Sequence, residues 1–118
     1  MASNARGGGN EWDLPVPYAS GITSGQGIQV GAFLFGVAQS TGAQNALVAV
    51  EFHGVYDLAK ESSLVVSVGD KLWWDNTARV LTKTATGNIA AGIAVAAALA
   101  ADATVTALIG ARVPAAAA

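Results

Sequence analysis

Along most of this chain apolar and polar positions alternate with a period of two, the spacing of strands whose side chains point to opposite faces. The first convincing run is Ile28–Ala38, with Ile28, Val30, Ala32 and Leu34 on one face and Gln29, Phe33, Phe35 and Val37 on the other. Gly31 and Gly36 interrupt it and predict bulges or close backbone approach. Ser40–Asn45 reads as a polar turn. Ala46–His53 then alternates again, setting Val48, Val50 and Phe52 against Leu47, Ala49, Glu51 and His53. Gly54 punctuates, and V-Y-D-L-A-K follows as a short extended piece.

The stretch Gly69–Ala78 (G-D-K-L-W-W-D-N-T-A) places two tryptophans side by side ahead of a turn. On a strand, Trp73 shares a face with Lys71 and Asp75, and Trp74 shares the other with Leu72. One indole can fill a core and the other must find a second surface. With R-V-L-T-K-T after the Asp75–Ala78 turn, this is the best hairpin candidate. Ile89–Leu99 is ambiguous. Its alanines favour a helix, whereas Ile89, Ile93, Val95 and Leu99 all fall on odd positions, as one face of a strand would, and Gly92 weakens a helix by roughly 1 kcal/mol. The odd-position spacing favours a strand. Ala103–Ile109 alternates Thr104, Thr106 and Leu108 with Val105, Ala107 and Ile109. Short strands separated by Gly, Asp and Asn turns predict an all-β fold, a small antiparallel β-barrel or sandwich. No internal repeat is evident.

Residues 1–11 are polar and glycine-rich and are expected to be disordered in isolation. Trp12, Leu14, Pro15, Val16, Pro17 and Tyr18 follow, the alternating prolines enforcing an extended path. The layout expected is an extended, flexible N-terminal arm over 1–19, a β domain over 20–113, and an alanine tail over 114–118. The aromatic residues of the arm either fold back on their own domain or strap across a neighbour.

Composition changes this picture in one respect. Hydrophobic residues make up 53% of the 118-residue chain and charged residues only 12%, which is sparse for a free surface. Either the 26 alanines inflate the apolar count, or another chain covers part of the exterior. The length suits one small core rather than two. A net charge of -2 with scattered basic residues offers nothing to nucleic acid. No basic amphipathic helix for a membrane surface is present. The longest apolar run, Ile89–Ala101, spans thirteen residues, short of the roughly 18 that a membrane span needs. The first ten residues lack the apolar core of a signal peptide.

Candidate chemistry is scarce. Cysteine is absent, so thiol catalysis, disulfides and cysteine metal sites are all excluded. A Ser-His-Asp arrangement would need His53 as base, Asp57 or Glu51 as orienter and a serine such as Ser67, yet no serine sits in a G-x-S-x-G elbow. A strand histidine beside a glutamate reads more simply as a surface pair. One histidine and scattered carboxylates make no metal site, and Asp70 and Asp75 lack calcium-loop spacing. The glycine-rich segments R-G-G-G-N and G-I-T-S-G-Q-G lack the G-K-[ST] ending of a phosphate loop. No catalytic residue, metal, cofactor or small-molecule substrate is expected.

Several motifs occur in a recognisable order: V-G-A-F-L-F-G-V-A (30–38), G-V-Y-D-L-A-K (54–60), V-G-D-K-L-W-W-D (68–75), T-A-T-G-N-I-A-A-G-I-A (84–94) and the D-A-T-V-T-A-L-I ending. In these the chain resembles the small phage capsid cement, or head decoration, proteins of the DUF2190 type, over roughly residues 20–110. The family pattern often has proline where this chain has Ala59. The resemblance implies a β-rich domain that binds the outside of an icosahedral head, with the major capsid protein as partner, as a homotrimer and without catalytic residues.

Such work suits aromatic anchors in a polar surround. The expected contact residues are Trp12, Pro15, Pro17 and Tyr18 of the arm, and one of Trp73 and Trp74; core filling is the competing reading for each tryptophan. A carbohydrate- or receptor-binding β module on the virion surface is the alternative function. An esterase-like enzyme resting on His53 is a distant third.

Overall fold

The computed structural model describes residues 11–32 and 34–110. Of the start expected to be disordered, residues 1–10 lie outside these residues and Glu11 is the first residue of a strand, and the alanine tail lies outside them as well. The alternating segments become β1 (Glu11–Pro15), β2 (Gly27–Val30), β3 (Leu34–Ala38), β4 (Leu47–Glu51), β5 (Gly54–Ala59), β6 (Lys71–Asp75), β7 (Val80–Thr82), β8 (Ile89–Ala94) and β9 (Thr104–Ile109). No helix occurs among the described residues, so the fold is all-β as the alternation predicts. It comprises two antiparallel sheets, ordered β1-β4-β3-β2 and β5-β9-β8-β6-β7. They fall into two units, the first ending at Phe52 and the second starting at His53, where the sequence suggested one domain from residue 20 to 113.

The first unit holds a core of Val16, Tyr18, Ile22, Ile28, Ala38, Val48 and Val50, flanked by Leu14, Val30 and Phe52. Residues 11–18, assigned to the arm from the sequence, thus contribute a strand and two core side chains to this unit. Ile28–Ala38, expected as one strand, is instead the β2–β3 hairpin. Gly31 takes a positive φ of 69°, a conformation open to glycine at little cost, and the chain reverses there. Gly36 is a place of close approach: a Cβ on it would lie 2.5 Å from Val50 Cγ1 and 2.7 Å from the Glu51 carbonyl oxygen.

In the second unit Leu58, Val66, Leu72, Trp74, Leu81, Ala94, Ala98, Val105, Ala107 and Ile109 are buried. The sheet curls until its edge strands meet. Lys60, just past β5, makes a parallel bridge with Leu81 of β7, and the Glu61 N–H donates to the Leu81 carbonyl at 2.9 Å. The strand reading of Ile89–Leu99 holds as far as Ala94. Of its two faces, the one carrying Ala94 and Ala98 is buried, while Val95 and Leu99 are exposed. Gly92 explains part of this choice, because its backbone packs so tightly on β9 that a Cβ would fall 2.1 Å from the Leu108 carbonyl oxygen.

Contrary to the sequence reading, the chain contains an internal repeat. The two units share a topology, with β1, β2, β3 and β4 matching β5, β6, β8 and β9. Registers match as well. Trp12↔Val50 and Leu14↔Val48 in the first unit correspond to Tyr56↔Ala107 and Leu58↔Val105 in the second. Ile28↔Gly36 corresponds to Leu72↔Gly92, and Ala38↔Val50 to Ala94↔Ala107. The turns also coincide. Gly25 and Gly69 have φ of 92° and 93° and donate to Ala38 and Ala94 at 2.7 and 2.8 Å. The Thr23 N–H donates to Gln26 Oε1 at 2.9 Å, as the Ser67 N–H does to Asp70 Oδ2 at 2.8 Å. The bridges Ile22↔Gly42 and Val66↔Ala98 complete the match. Equivalent residues stand 44 apart at Ile28 and Leu72 but 56 apart at Gly36 and Gly92; the difference is the insertion that carries β7.

Candidate functional site

β1 is an edge strand of the first sheet, and its prolines follow from that position. The Val16 N–H donates to the Ala46 carbonyl at 3.0 Å, so even-numbered residues bond towards β4 and odd-numbered ones face away. Pro15 and Pro17 occupy odd positions, where no ladder donor is needed. Both are exposed, and an edge without those donors resists unplanned strand pairing. Trp12 pairs with Val50 and shares its inward face, yet it remains 47% exposed. This indole is an apolar surface that its own sheet leaves uncovered.

Tyr18 has a different place. It is buried in the first core, and its hydroxyl oxygen accepts the Gln29 N–H of edge strand β2 at 2.9 Å. The residue is closed inside its unit and guards the β2 edge.

In the second unit, Trp74 is 2% exposed and its Nε1–H donates to Asn76 Oδ1 at 3.1 Å. Trp74 is therefore the core indole of the pair. Trp73 faces the other way and is half-buried, with the Lys71 ammonium 5.1 Å from its ring centroid, a cation–π spacing. Asp75 fixes the turn that follows: its Oδ1 accepts the N–H groups of Thr77 at 2.9 Å and Ala78 at 3.1 Å. The expected contact residues are divided between the two units. Trp12, Pro15 and Pro17 are on the first unit's edge and Trp73 is on the second unit's β6.

Electrostatics at these positions is modest. The Asp70 carboxyl sits below its ordinary value of 3.8, chiefly because it accepts the Ser67 backbone N–H; burial pushes the other way, and the hydrogen bond and charge of Lys83 add to the lowering. The Lys83–Asp70 ion pair, at 3.3 Å and well exposed, is of the kind that contributes little to stability. His53 is exposed. No group of three or more His, Asp or Glu side chains that could hold a metal ion is gathered among the described residues.

A family model described as phage cement protein matches residues 7–109. The chain belongs to the phage cement protein family. The match runs from ahead of β1 to the end of β9, so both units are part of the cement protein. Comparison with curated proteins and with solved structures finds no match. Membership places the protein among the capsid-associated structural proteins of phage, as the ordered motifs implied.

Two features of this cement protein escaped the sequence. Lys60, the last residue of the V-Y-D-L-A-K motif, is buried, with its Nζ 3.4 Å from the Glu61 carbonyl and 3.5 Å from that of Ala100. It sits where the second sheet closes on itself, beside Glu61, whose Oε1 accepts the Thr82 hydroxyl at 2.5 Å. The other is a group of exposed aliphatic side chains, Val65, Val68, Val95 and Leu99, at 55%, 67%, 41% and 69% exposure. The shared face of Val95 and Leu99 was legible, but period two alone does not say whether that face is covered.

Proposed function

We propose that this protein binds the outer surface of an icosahedral phage head and cements neighbouring major capsid protein subunits, acting as a homotrimer. It is made in the host cytoplasm and works without catalysis, cofactor, nucleic acid, membrane or small-molecule substrate. Trp12, Pro15, Pro17 and Trp73 form its contacts with the shell or between subunits, while Tyr18 and Trp74 hold the units that present them. The observation that carries this reading is the half-exposed Trp12 on a proline-marked edge, in a chain of the phage cement family. A large aromatic side chain that its own sheet leaves open is the kind of anchor on which binding energy concentrates. Three linked copies make the second and third contacts intramolecular, so modest individual contacts suffice.

The test is co-sedimentation with heads that lack the protein. The wild type pellets with the heads, and Trp12→Ala and Trp73→Ala each weaken binding by roughly tenfold or more. If the wild type stayed in the supernatant at every concentration, the function would be wrong. If both variants bound as the wild type does, the contact assignment would be.

A further inference from the structure

The repeat supplies an internal control for the surface of the second unit. In that unit, residues 65–69 lie antiparallel to residues 94–99. The Val66 and Ala98 N–H groups each donate to the other's carbonyl at 2.9 Å, and Gly69 donates to Ala94 at 2.8 Å. Val66 and Ala98 point inwards and are buried; Val65, Val95 and Leu99 lie on the opposite, outward face, and Val68 is exposed at the turn. The first unit builds the same ladder from other residues, its Ile22 and Gly42 bonding each other at 2.9 and 3.1 Å. Gly21, Gln39 and Ala43 stand there in place of Val65, Val95 and Leu99, and Ser24 in place of Val68. Ser24 and its neighbours are polar and bonded: the Ser24 hydroxyl donates to the Gln39 carbonyl, and the Ser24 N–H to the Thr41 hydroxyl, both at 3.1 Å.

The ladder therefore folds without large apolar groups on its outer face. The aliphatic residues of the second unit have another purpose, since a contiguous exposed apolar patch marks a contact surface. We infer that Val65, Val68, Val95 and Leu99 form the surface by which the chain associates with a second copy of itself. This rests on the self-association part of the function proposed above.

The chemistry favours a second copy over the shell. The patch is aliphatic, and the carboxylates of Asp70 and Asp102 are turned back onto the backbone, on the Ser67 N–H and the Leu99 N–H, each at 2.8 Å, with Asp70 also paired to Lys83 at 3.3 Å. Permanent contacts between like chains are more apolar than docking contacts, whereas docking anchors are enriched in aromatic residues and arginine, which are missing here. The four side chains expose on the order of a few hundred Å². With the exposed Ser67, Ala97, Ala100 and Ala101 around them, they form the centre of a contact of the usual size, about 800 Å² per partner.

The experiment gives the second unit the first unit's own residues, Val68→Ser, Val95→Gln and Leu99→Ala together, and measures solution mass by light scattering. The wild type should run as a multiple of 11.7 kDa and the triple variant as the single chain, with the same far-ultraviolet circular dichroism. Should the triple variant fail to fold, Leu99→Ala alone should raise the dissociation constant at least tenfold. A wild type that is monomeric at micromolar concentration overturns the inference. So does a folded triple variant of wild-type mass, or a Leu99→Ala variant with unchanged dissociation. Co-sedimentation with heads separates the two readings. A wild type that multimerises through this patch yet never binds heads refutes the cement function alone, and one that binds heads while the patch variants stay multimeric refutes the patch alone.

Discussion

The two units of this chain solve one folding problem twice, and their differences separate what the fold requires from what it does not. Both need a positive-φ glycine in the turn (Gly25, Gly69) and a glycine where two strands press together (Gly36, Gly92). They close differently after the strand equivalent to β2. The second unit adds β7 and ties it to Glu61 through a backbone hydrogen bond. The first unit has Pro17 at the position of Glu61, so that donor is absent, and it covers the β2 edge with the Tyr18 hydroxyl instead. A strand in one copy is replaced by a side chain in the other. An edge left free is a pairing hazard, and both devices remove it.

The largest effect that would test the equivalence is at the paired glycines. Gly92→Ala should destabilise by about 4 kcal/mol or more, because the obstructing atom is a backbone oxygen that cannot step aside. Gly36→Ala should cost less, since the backbone oxygen it would meet, that of Glu51, lies at 2.7 Å rather than 2.1 Å and the other close atom belongs to the Val50 side chain. Thermal or urea unfolding reads both; equal effects would mean that the two close approaches are not graded as described.

Next come the adjacent indoles. Trp74→Ala removes a fully buried ring and should cost about 3–5 kcal/mol. Trp73→Ala removes a half-buried ring and should cost less than Trp74→Ala, while altering head binding. A reversal of this order in urea unfolding would break the division of the pair into core and surface.

The smallest effect concerns the matched turns. Asp70 closes its turn with a carboxylate where Gln26 uses an amide. The folded state holds the Asp70 pKa below 3.8, so ionisation favours folding above that value. That contribution is lost as the pH falls from 3.8 through the lowered pKa of the folded protein. Asp70→Asn should flatten this part of the acid-unfolding curve, and Gln26→Asn should leave its shape unchanged. Equal pH dependence in the wild type and Asp70→Asn would contradict the assignment.

The all-β fold and most of its strands were legible, because alternation carries strand identity directly: Val48 and Val50 are buried, and so are Val105, Ala107 and Ile109. The pairing of Trp73 with Lys71 on one face and of Trp74 with Leu72 on the other was legible for the same reason. What period two could not give was depth. It assigns faces but not which face is covered, and so it grouped Val95 with Leu99 without showing that the alanine face is the buried one. The repeat was hidden because few residues coincide between the units, Asp13 with Asp57, Leu14 with Leu58 and Gly25 with Gly69 among them. The β7 insertion also shifts the frame midway. Its signature lies in hydrogen bonds and register, which sequence identity does not report. The candidate contacts divided likewise. Exposed prolines on an edge strand could be anticipated from their missing donors, whereas the burial of Tyr18 goes with tertiary packing in the first core, where its hydroxyl accepts the Gln29 N–H.

Cementing is a mechanical role, and its most direct test is mechanical: the rupture temperature of phage heads lacking this protein, measured before and after saturation with it. The account predicts that bound protein raises the rupture temperature, and that Trp12→Ala removes most of the gain without unfolding the protein. Heads that bind the protein to saturation and rupture at an unchanged temperature would contradict it.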